Sequence, residues 1–356
     1  MMRVGVVFGG KSGEHEVSIV SAGSVMNAMD KSKYEIIPIG ITKNGKWYTG
    51  DNVVQGFKDG NYERLTPITL HTDPGKRGYI EVEEGGKHVK LDLVFPVLHG
   101  PYGEDGTIQG LFEMANIPYV GAGVLGSSLA MDKLMTKAVL TEAGIPNTPY
   151  IGVLRKDYEK DPDTVVREIG EKISFPCFVK PANLGSSVGI SKVKGEGELK
   201  PALDEAFKYD RRVCVEKGLN AREIEVSILG NDEPEASLPG EVIVGGEFYD
   251  YNDKYVDGKS TTQVPADLPD DLLKKIQKLA IDAYRAVDCA GFARVDCFVD
   301  RDTGEVYLNE INTIPGFTSI SMYPKMWEAS GLSYPKLIDR LIELALERYN
   351  DKQRNK

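Results

Sequence analysis

The chain has 356 residues, of which 41% are hydrophobic and 27% charged, and its formal net charge at pH 7 is −11. This composition is typical of a globular protein long enough for two or three domains. The acidic balance argues against a protein that wraps nucleic acid or anionic lipid. No apolar run approaches the roughly 18–20 residues of a membrane-spanning helix, and the N-terminal apolar run breaks at glycine before it could form the core of a signal peptide.

The cysteines and histidines indicate a reducing compartment rather than a metal centre. Cys177, Cys214, Cys289 and Cys297 form no C-x-x-C pair and lie in apolar contexts, which predicts buried thiols in a cytosolic protein. Only four histidines occur, and none belongs to an H-E-x-x-H motif. The sequence therefore predicts no zinc site.

The first third of the chain alternates apolar runs with helical patterns. Strands are predicted over 3–8, 35–41, 91–98 and 117–120, and helices over 16–29 and 107–115. Residues 43–90, rich in Gly, Asp and Thr, are predicted to form an insertion of short strands and loops. Alternating strands and helices imply a parallel sheet with a crevice at the ends of its strands.

The pattern changes after residue 125. A helix is predicted over 127–143, since Gly144 and Pro146 follow it as stop signals. A small α+β unit is then predicted, with strands over 175–179, 189–193 and 212–217 and a helix over 197–208. Longer strands, a helix over 270–287, a hairpin over 291–312 and two closing helices complete the chain. We expect domains over 1–125, 126–218 and 219–356.

Two glycine-rich motifs match nucleotide-binding patterns in the wrong context. Residues 5–12, GVVFGGKS, match the P-loop pattern, but their middle residues belong to a predicted strand, whose amides are used in a sheet. Residues 121–126, GAGVLG, match the dinucleotide fingerprint, but they follow a weak strand late in the domain instead of its first strand. Neither a P-loop ATPase nor a dehydrogenase is favoured.

A third glycine-rich loop, residues 180–189 (KPANLGSSVG), lies between two predicted strands and is called the flap below. Its small and hydroxyl-bearing residues can close over phosphates with N–H and O–H donors, and Lys180 supplies a positive charge. Taken alone, an ordinary hairpin loop with a surface lysine fits these residues as well.

The predicted hairpin over 291–312 carries a polar face. A three-residue turn over 302–304 places Asp296 opposite Glu310 and Arg294 opposite Asn312. Opposed carboxylates repel unless a cation or a proton separates them, and this set of hard oxygen ligands suits Mg²⁺. A structural Arg–Asp–Glu network that shares one proton is the alternative. The face expected to pack on the core comprises Val295, Cys297, Val299, Tyr307 and Ile311.

In the magnesium interpretation Arg294 remains free to hold a developing oxyanion. The loop that follows the hairpin offers the Gly316 N–H and the Ser321 hydroxyl as further donors.

Five motifs in order carry a family resemblance: HEVS at 15–18, HGPYGEDG at 99–106, MDK at 131–133, the flap, and R-x-D at 294–296 with NEINTIPG at 309–316. Together they resemble the D-alanine–D-alanine ligases of the ATP-grasp superfamily, over residues 3 to about 345. The resemblance implies a three-domain ATP-grasp architecture of α/β and α+β parts. It has an N-terminal Rossmann-like parallel sheet and holds ATP between the central and C-terminal domains.

The resemblance also implies roles for individual residues around ATP and metal. The implied metal ligands are Asp296, Glu310 and Asn312. The implied phosphate contacts are Lys133, Lys180 and Lys254. The implied nucleoside contacts are Glu216, Lys217 and Leu219 in the adenine-binding linker, and Glu223 at the ribose.

For the amino-acid substrates, the resemblance implies that Glu16 holds the ammonium of the first D-alanine, with Ser186 and Tyr255 as hydrogen-bonded partners. Arg294 and the Gly316 N–H would form the oxyanion site. Ser321 would contact the carboxylate of the second D-alanine.

The implied activity is ATP-dependent joining of two D-alanines through an acyl phosphate, for peptidoglycan precursor synthesis. A cytoplasmic homodimer with two Mg²⁺ or Mn²⁺ ions per subunit is implied as well. The polar segment 250–261 is long enough to act as a lid over the water-sensitive intermediate.

Two alternatives stay open. A ligase of the same fold could make D-Ala–D-lactate or D-Ala–D-serine, although Tyr255 argues against lactate. A nucleotide-binding protein without catalysis would be expected to lose Glu16, Arg294 or Ser321, and all three are present.

Overall fold

The computed structural model describes residues 1–82, 87–185, 187–243, 261–318 and 320–355. These residues form three β-sheets in succession along the chain. Within them, no helix combines the length and the apolarity needed to cross a bilayer.

The N-terminal sheet is seven-stranded and has the order β6-β5-β4-β3-β2-β1-β7. Its strands are β1 (Met2–Gly9), β2 (Tyr34–Ile41), β3 (Trp47–Thr49), β4 (Thr66–Leu70), β5 (Tyr79–Val82), β6 (Lys87–Lys90) and β7 (Leu93–Val97). β1 pairs in parallel with both β2 and β7, which confirms the predicted parallel core. The segment 43–90 extends this core with antiparallel strands.

Two sequence predictions in this region have clear outcomes. The P-loop match is a strand, because residues 6–8 pair with β2 on one side and β7 on the other. The predicted strand over 117–120 is wrong: it makes a single bridge between Tyr119 and Val94. Pro118 lacks the N–H that a longer ladder needs.

The helices of the N-terminal region are α1 (His15–Ala28), α2 (Val53–Asp59) and α3 (Thr107–Met114). After them come α4 (Val124–Met131) and α5 (Lys133–Glu142), where one helix over 127–143 was predicted. The interruption is at Asp132, whose backbone is extended and whose carboxylate accepts a hydrogen bond from Met135 N (3.1 Å). Asp132 thus acts as the N-cap of α5, so the single-helix prediction is wrong at this residue.

The central sheet is four-stranded and antiparallel, with the order β10-β9-β11-β8. Its strands are β8 (Tyr150–Leu154), β9 (Cys177–Pro181), β10 (Ser191–Val193) and β11 (Arg212–Lys217). Helices α6 (Arg155–Lys160), α7 (Pro162–Lys172) and α8 (Leu199–Ala206) accompany it. The flap joins β9 to β10, as predicted.

The C-terminal sheet has the order β15-β14-β12-β16-β17, with β13 paired to β12. Its strands are β12 (Ala221–Leu229), β13 (Glu235–Ala236), β14 (Gly240–Ile243), β15 (Thr261–Gln263), β16 (Phe292–Asp300) and β17 (Val306–Asn312). The helices are α9 (Asp270–Ala286), α10 (Met322–Ala329) and α11 (Tyr334–Lys352).

The apolar cores join parts of the chain that are distant in sequence. Leu337 and Leu341 of α11 are buried in one cluster with Val4 and Phe95 of the N-terminal sheet. Each such fully buried aliphatic side chain stabilises the fold by about 1.5–3 kcal/mol. The last helix therefore fixes the position of the first sheet relative to the C-terminal part of the chain.

The β16–β17 hairpin has the predicted pairing, reached by a different route. Asp296 lies opposite Glu310 and Arg294 opposite Asn312, as predicted. The turn is one residue longer than predicted, because Asp300 N donates to Glu305 O, and a β-bulge between Asp296 and Cys297 restores the register.

The bulge changes which residues of β17 reach the core. Val306 and Leu308 are buried there. Tyr307 lies opposite Phe298 and is only half-buried, so its predicted core position is wrong. Val295, Cys297, Val299 and Ile311 are buried as predicted. A one-residue shift of register exchanges the two faces of a strand.

Candidate active site

The polar face of the hairpin is a network of charges centred on Asp296. Arg294 donates to both oxygens of Asp296, from Nε (2.7 Å) and Nη2 (2.6 Å), and Asn312 Nδ2 donates to Asp296 Oδ2 (3.0 Å). A bidentate guanidinium–carboxylate pair of this kind is strong and directional. The side chains of these two residues are only 19% and 14% exposed.

A third carboxylate of this network was missed from the sequence. Glu225 of β12 lies beside Asp296 in the sheet, and its Oε2 is 3.3 Å from Arg294 Nε. Burial opposes the positive charge of Arg294, but Asp296 and Glu225 outweigh it and raise the pKa of the guanidinium. The alternation Glu223-Ile224-Glu225 was the sequence signal, since residues two apart on a strand share a face.

The network also differs from the predicted one at Arg294. Arg294 is fixed to Asp296 rather than free. A guanidinium has five N–H donors, so an oxyanion contact must use donors other than the two N–H groups directed at Asp296.

A cleft brings the hairpin, the flap and helix α5 together. It is lined by Glu310, Asn312 and Thr313 from the hairpin end, by Leu184 and Gly185 from the flap, and by Lys133 from α5. Lys133 Nζ donates to the carbonyl of Leu184 (2.6 Å), which ties this lysine to the flap. Burial lowers the pKa of Lys133, while the nearby Glu310 opposes that shift.

Beside the cleft lies a buried cluster of two lysines around Glu216. Lys137 Nζ is 2.9 Å from Glu216 Oε2, and Lys180 Nζ contacts Glu216 Oε1. Burial alone would raise the pKa of Glu216, but Lys137 and Lys180 outweigh it and hold that pKa well below its ordinary value. For Lys180, burial works against the charge and Glu216 more than compensates, so its pKa is raised.

Glu216 and Lys180 of this cluster were singled out from the sequence, but Lys137 was not. Lys137 was missed because nothing in the local sequence distinguishes it from a surface lysine of an amphipathic helix. It is buried and also donates to Thr148 Oγ1 (2.7 Å). The Glu216 side chain, predicted beside adenine, is engaged by the two lysines. Lys217 is exposed, and Leu219 and Glu223 are half-buried.

The loop over 99–106 connects the N-terminal sheet to the loop that follows the hairpin. His99 Nδ1 is 2.9 Å from the Ile314 carbonyl, and Glu104 accepts hydrogen bonds from Gly100 N (2.6 Å) and Ile314 N (3.2 Å). Burial, with the charge of Glu14, raises the pKa of Glu104 to about 8. Glu104 also lines the cleft. The sequence signal for it was its place in the HGPYGEDG motif.

The segment before α1 reaches the same region. A Cβ on Gly185 would lie 3.2 Å from Glu14 Oε2, and one on Gly100 only 2.6 Å from it. The glycines of the flap and of the 99–106 loop thus allow close approach to Glu14. Glu16, the predicted ammonium site, is 66% exposed, and its Oε1 lies 2.6 Å from Lys43 Nζ. The hydrogen bond from Lys43 lowers the pKa of Glu16.

The loop after the hairpin places Gly316 against Ser321. A Cβ on Gly316 would lie 2.9 Å from Ser321 Oγ. Ser321 precedes α10, and its Oγ accepts a hydrogen bond from Thr318 N (3.0 Å). The predicted site residues Ser186, Lys254 and Tyr255, and the predicted lid over 250–261 except its last residue, lie outside the described residues.

The cysteines offer no reactive thiolate, although Cys214 lies opposite Lys180 in the central sheet. All four are buried thiols, as predicted. Burial raises the pKa of Cys177 to about 11 and that of Cys214 to about 12, so neither is a thiolate at neutral pH.

Comparisons with known proteins give a consistent result. Residues 3–122 match the family model described as D-ala D-ala ligase N-terminus, and residues 139–343 match D-ala D-ala ligase C-terminus. A D-alanine–D-alanine ligase from Thermoanaerobacter sp. (strain X514) is 54% identical over 355 residues, covering 99% of this chain and 98% of the relative.

Solved structures agree. The D-alanine–D-alanine ligase from Coxiella burnetii superposes with a TM-score of 0.87 at 41% identity, covering 99% of this chain and 96% of that one. The VanG D-Ala:D-Ser ligase from Enterococcus faecalis also gives 0.87, at 38% identity, covering 97% and 99%.

Proposed function

The chain belongs to the D-alanine–D-alanine ligase family, and from this premise we propose that it joins two D-alanines at the cleft between hairpin, flap and α5. ATP phosphorylates the carboxylate of the first D-alanine, and the amine of the second then displaces phosphate to form the dipeptide. The observation that carries the proposal is that Glu310, Lys133 and the flap, distant in sequence, line one cleft.

The oxygen donors of the hairpin fit a divalent metal. Asp296, Glu310 and Asn312 share one face, and carboxylate and amide oxygens are the donors that Mg²⁺ and Mn²⁺ prefer. We assign these three residues as ligands for two ions per subunit. When bound, the ions would neutralise charge on the transferred phosphoryl group. Arg294 and Asn312 hold the Asp296 carboxylate in a fixed orientation for this task.

Lys133 and Lys180 supply the remaining positive charge. Lys133 lies in the cleft, and Lys180 begins the flap. Because Glu216 raises the pKa of Lys180, this lysine stays charged despite its burial. Both residues are assigned to the phosphates, with residues 216–219 and Glu223 on the nucleoside side. Lys254, outside the described residues, is assigned to the transferred phosphate from the family resemblance.

The acyl phosphate makes the carboxyl carbon electrophilic, since phosphate is a far better leaving group than oxide. Attack by the second amine then forms a tetrahedral oxyanion. We assign the Arg294 N–H groups not directed at Asp296, together with Gly316 N–H, to this oxyanion. Ser321 is assigned to the carboxylate of the second D-alanine, and Glu16 with Ser186 and Tyr255 to the first.

A cytoplasmic homodimer and the domain division 1–125, 126–218 and 219–356 are part of the same proposal. The cellular location follows from the substrates, because ATP and D-alanine for peptidoglycan precursors are used in the cytoplasm. Light scattering of the purified protein tests the dimer.

The activity is tested by incubating the protein with ATP, Mg²⁺ and D-alanine, and by measuring phosphate and product mass. One D-alanyl-D-alanine per phosphate is expected. Parallel reactions with D-lactate or D-serine as the second substrate test the choice of nucleophile. ATP hydrolysis without dipeptide would contradict the proposal, and a preference for either alternative substrate would correct its specificity.

A further inference from the structure

Three side chains that could ligate a metal lie together outside the lining of the cleft, on the edge of the N-terminal sheet. His71, Glu81 and His88 each offer one ligand atom, and these atoms lie within 4.8 Å of one another. The three residues come from three neighbouring segments. His71 follows β4, while Glu81 on β5 lies directly opposite His88 on β6. No local motif connects them, which is why the sequence predicted no zinc site.

His71 is held close to Glu81 without a hydrogen bond between them. His71 Nε2 lies 3.3 Å from Glu81 Oε2. Among the described residues it is enclosed by protein and makes no hydrogen bond that meets ordinary angular criteria. The side chain of His71 is only 18% exposed. An imidazole nitrogen that is buried beside a carboxylate without a hydrogen bond to it costs free energy. A cation bound to both atoms would remove that cost.

The second imidazole completes the set. The rings of His71 and His88 are 5.6 Å apart between centroids. Tetrahedral zinc with bonds of about 2.0–2.2 Å needs ligand atoms roughly 3.3–3.6 Å apart. His88 is exposed, so a small rotation of its side chain can close the remaining gap, and water can take the fourth position.

We propose that His71, Glu81 and His88 form a binding site for a divalent transition-metal ion, of which Zn²⁺ is the representative, distinct from the Mg²⁺ face of the hairpin. Two imidazoles and one carboxylate suit Zn²⁺, Ni²⁺ or Cu²⁺, whereas Mg²⁺ prefers oxygen ligands. In the sheet order β6-β5-β4-β3-β2-β1-β7, β4–β6 lie at the edge opposite β7, outside the parallel core. The bound ion joins β4, β5 and β6 and does not touch the proposed catalytic residues.

The direct test is histidine NMR on the full-length protein without nucleotide and in excess Mg²⁺, with Zn²⁺ as the only added probe. Four histidines give four sets of ring signals. His15 and His99 are buried and already hydrogen-bonded through ring nitrogens. Stoichiometric Zn²⁺ should shift the signals of His71 and His88 and leave those two unchanged. Unchanged His71 and His88 signals at a tenfold molar excess of Zn²⁺ would overturn the proposal.

Calorimetry with variants gives an independent test. His88→Ala and Glu81→Gln should weaken Zn²⁺ binding at least about tenfold. Loss of a residue that only hydrogen-bonds a metal ligand already weakens binding by about that factor, and these two residues are ligands themselves. Lys90→Ala, an exposed residue two positions along the same strand, is the matched control and should bind like wild type. All three variants should keep wild-type dipeptide synthesis. Equal Zn²⁺ affinity in His88→Ala and Lys90→Ala would contradict the site.

Discussion

Replacing Glu216 by glutamine removes the negative charge from a buried cluster that holds two ammonium groups. The side chains of Lys137 and Lys180 are 3% and 10% exposed, so water can do little to compensate. Removing one partner of a buried ion pair costs about 3–5 kcal/mol. The amide can still accept a hydrogen bond, and Lys180 can lose its proton once Glu216 no longer raises its pKa. We therefore expect a loss at the lower end of this range, about 3 kcal/mol in the free energy of unfolding.

The assay is urea unfolding followed by circular dichroism, with thermal melting as a second measure. A loss of about 3 kcal/mol should lower the melting temperature by roughly 4 °C, because the unfolding entropy of a 356-residue chain is about 0.75 kcal/mol/K. Glu205→Gln is the matched control, because it also removes a carboxylate beside a lysine, Lys208, but at an exposed site. Glu205→Gln should leave the urea midpoint and the melting temperature unchanged. Adding Lys137→Met to Glu216→Gln should restore part of the loss, since it removes an uncompensated charge.

The pH dependence of this effect has a definite sign. Burial would raise the pKa of Glu216, but the two lysines hold it below the ordinary value of 4.5. The folded state therefore binds this proton more weakly than the unfolded state. The stabilisation is complete above about pH 5 and is lost as the pH falls through the folded-state pKa. The difference in unfolding free energy between wild type and Glu216→Gln, called the gap here, should therefore become smaller in acid. A gap below about 1 kcal/mol at pH 7, or one that does not narrow, would refute the reasoning.

Further substitutions test the other assignments, including that of Tyr255, which lies outside the described residues. Arg294→Ala should abolish dipeptide formation while ATP binding, measured by calorimetry, persists; near-normal turnover would remove its assigned role. Asp296→Ala or Glu310→Ala should sharply raise the Mg²⁺ concentration for half-maximal activity, and an unchanged titration would count against the hairpin site. Because burial raises the pKa of Glu104 to about 8, ionising it should destabilise the wild type between about pH 5 and 8. In urea unfolding, the free energy of unfolding of Glu104→Gln should not fall over this pH range. Equal slopes of that free energy against pH in the two proteins would contradict a raised pKa for Glu104. Tyr255→Phe should raise the share of D-lactate product in a competition with D-alanine, whereas an identical product ratio would exclude the role of Tyr255.

Local patterns were enough to predict much of the fold. Strand β11 spans residues 212–217, as predicted, and the strand context correctly excluded the P-loop match. Interruptions within regular patterns were harder to predict. Asp132 divides the helix predicted over 127–143 because its carboxylate caps the next helix, whereas the stop signals at Gly144 and Pro146 mark only the C-terminal end of that segment.

In the hairpin the pairs of facing residues were predicted correctly, although the length of the turn was not. The sequence indicated Asp296 opposite Glu310 through a three-residue turn. The structure reaches the same pair with a longer turn and a bulge, and only Tyr307, beyond the bulge, is on the wrong face. Bulges follow from three-dimensional twist and packing, which a single strand sequence does not record.

The predicted site was incomplete where a contact joins distant segments. Glu225 and Lys137 were missed because their partners, Arg294 and Glu216, are about seventy or more positions away in the sequence. The sequence predicted no zinc site for a related reason, since the three residues of the proposed site, His71, Glu81 and His88, share no local motif. Residue types and spacing predict a site when its residues lie on one hairpin, and they fail when the fold assembles it from several units.

The central claim is that the cleft activates the carboxylate of D-alanine by phosphorylation. The most direct measurement uses D-alanine with both carboxylate oxygens labelled with ¹⁸O, together with ATP and Mg²⁺, and follows released phosphate by ³¹P NMR. Transfer through an acyl phosphate moves one labelled oxygen into each phosphate as the dipeptide forms, and this singly labelled phosphate is the predicted result. Unlabelled phosphate released in step with dipeptide would contradict the account.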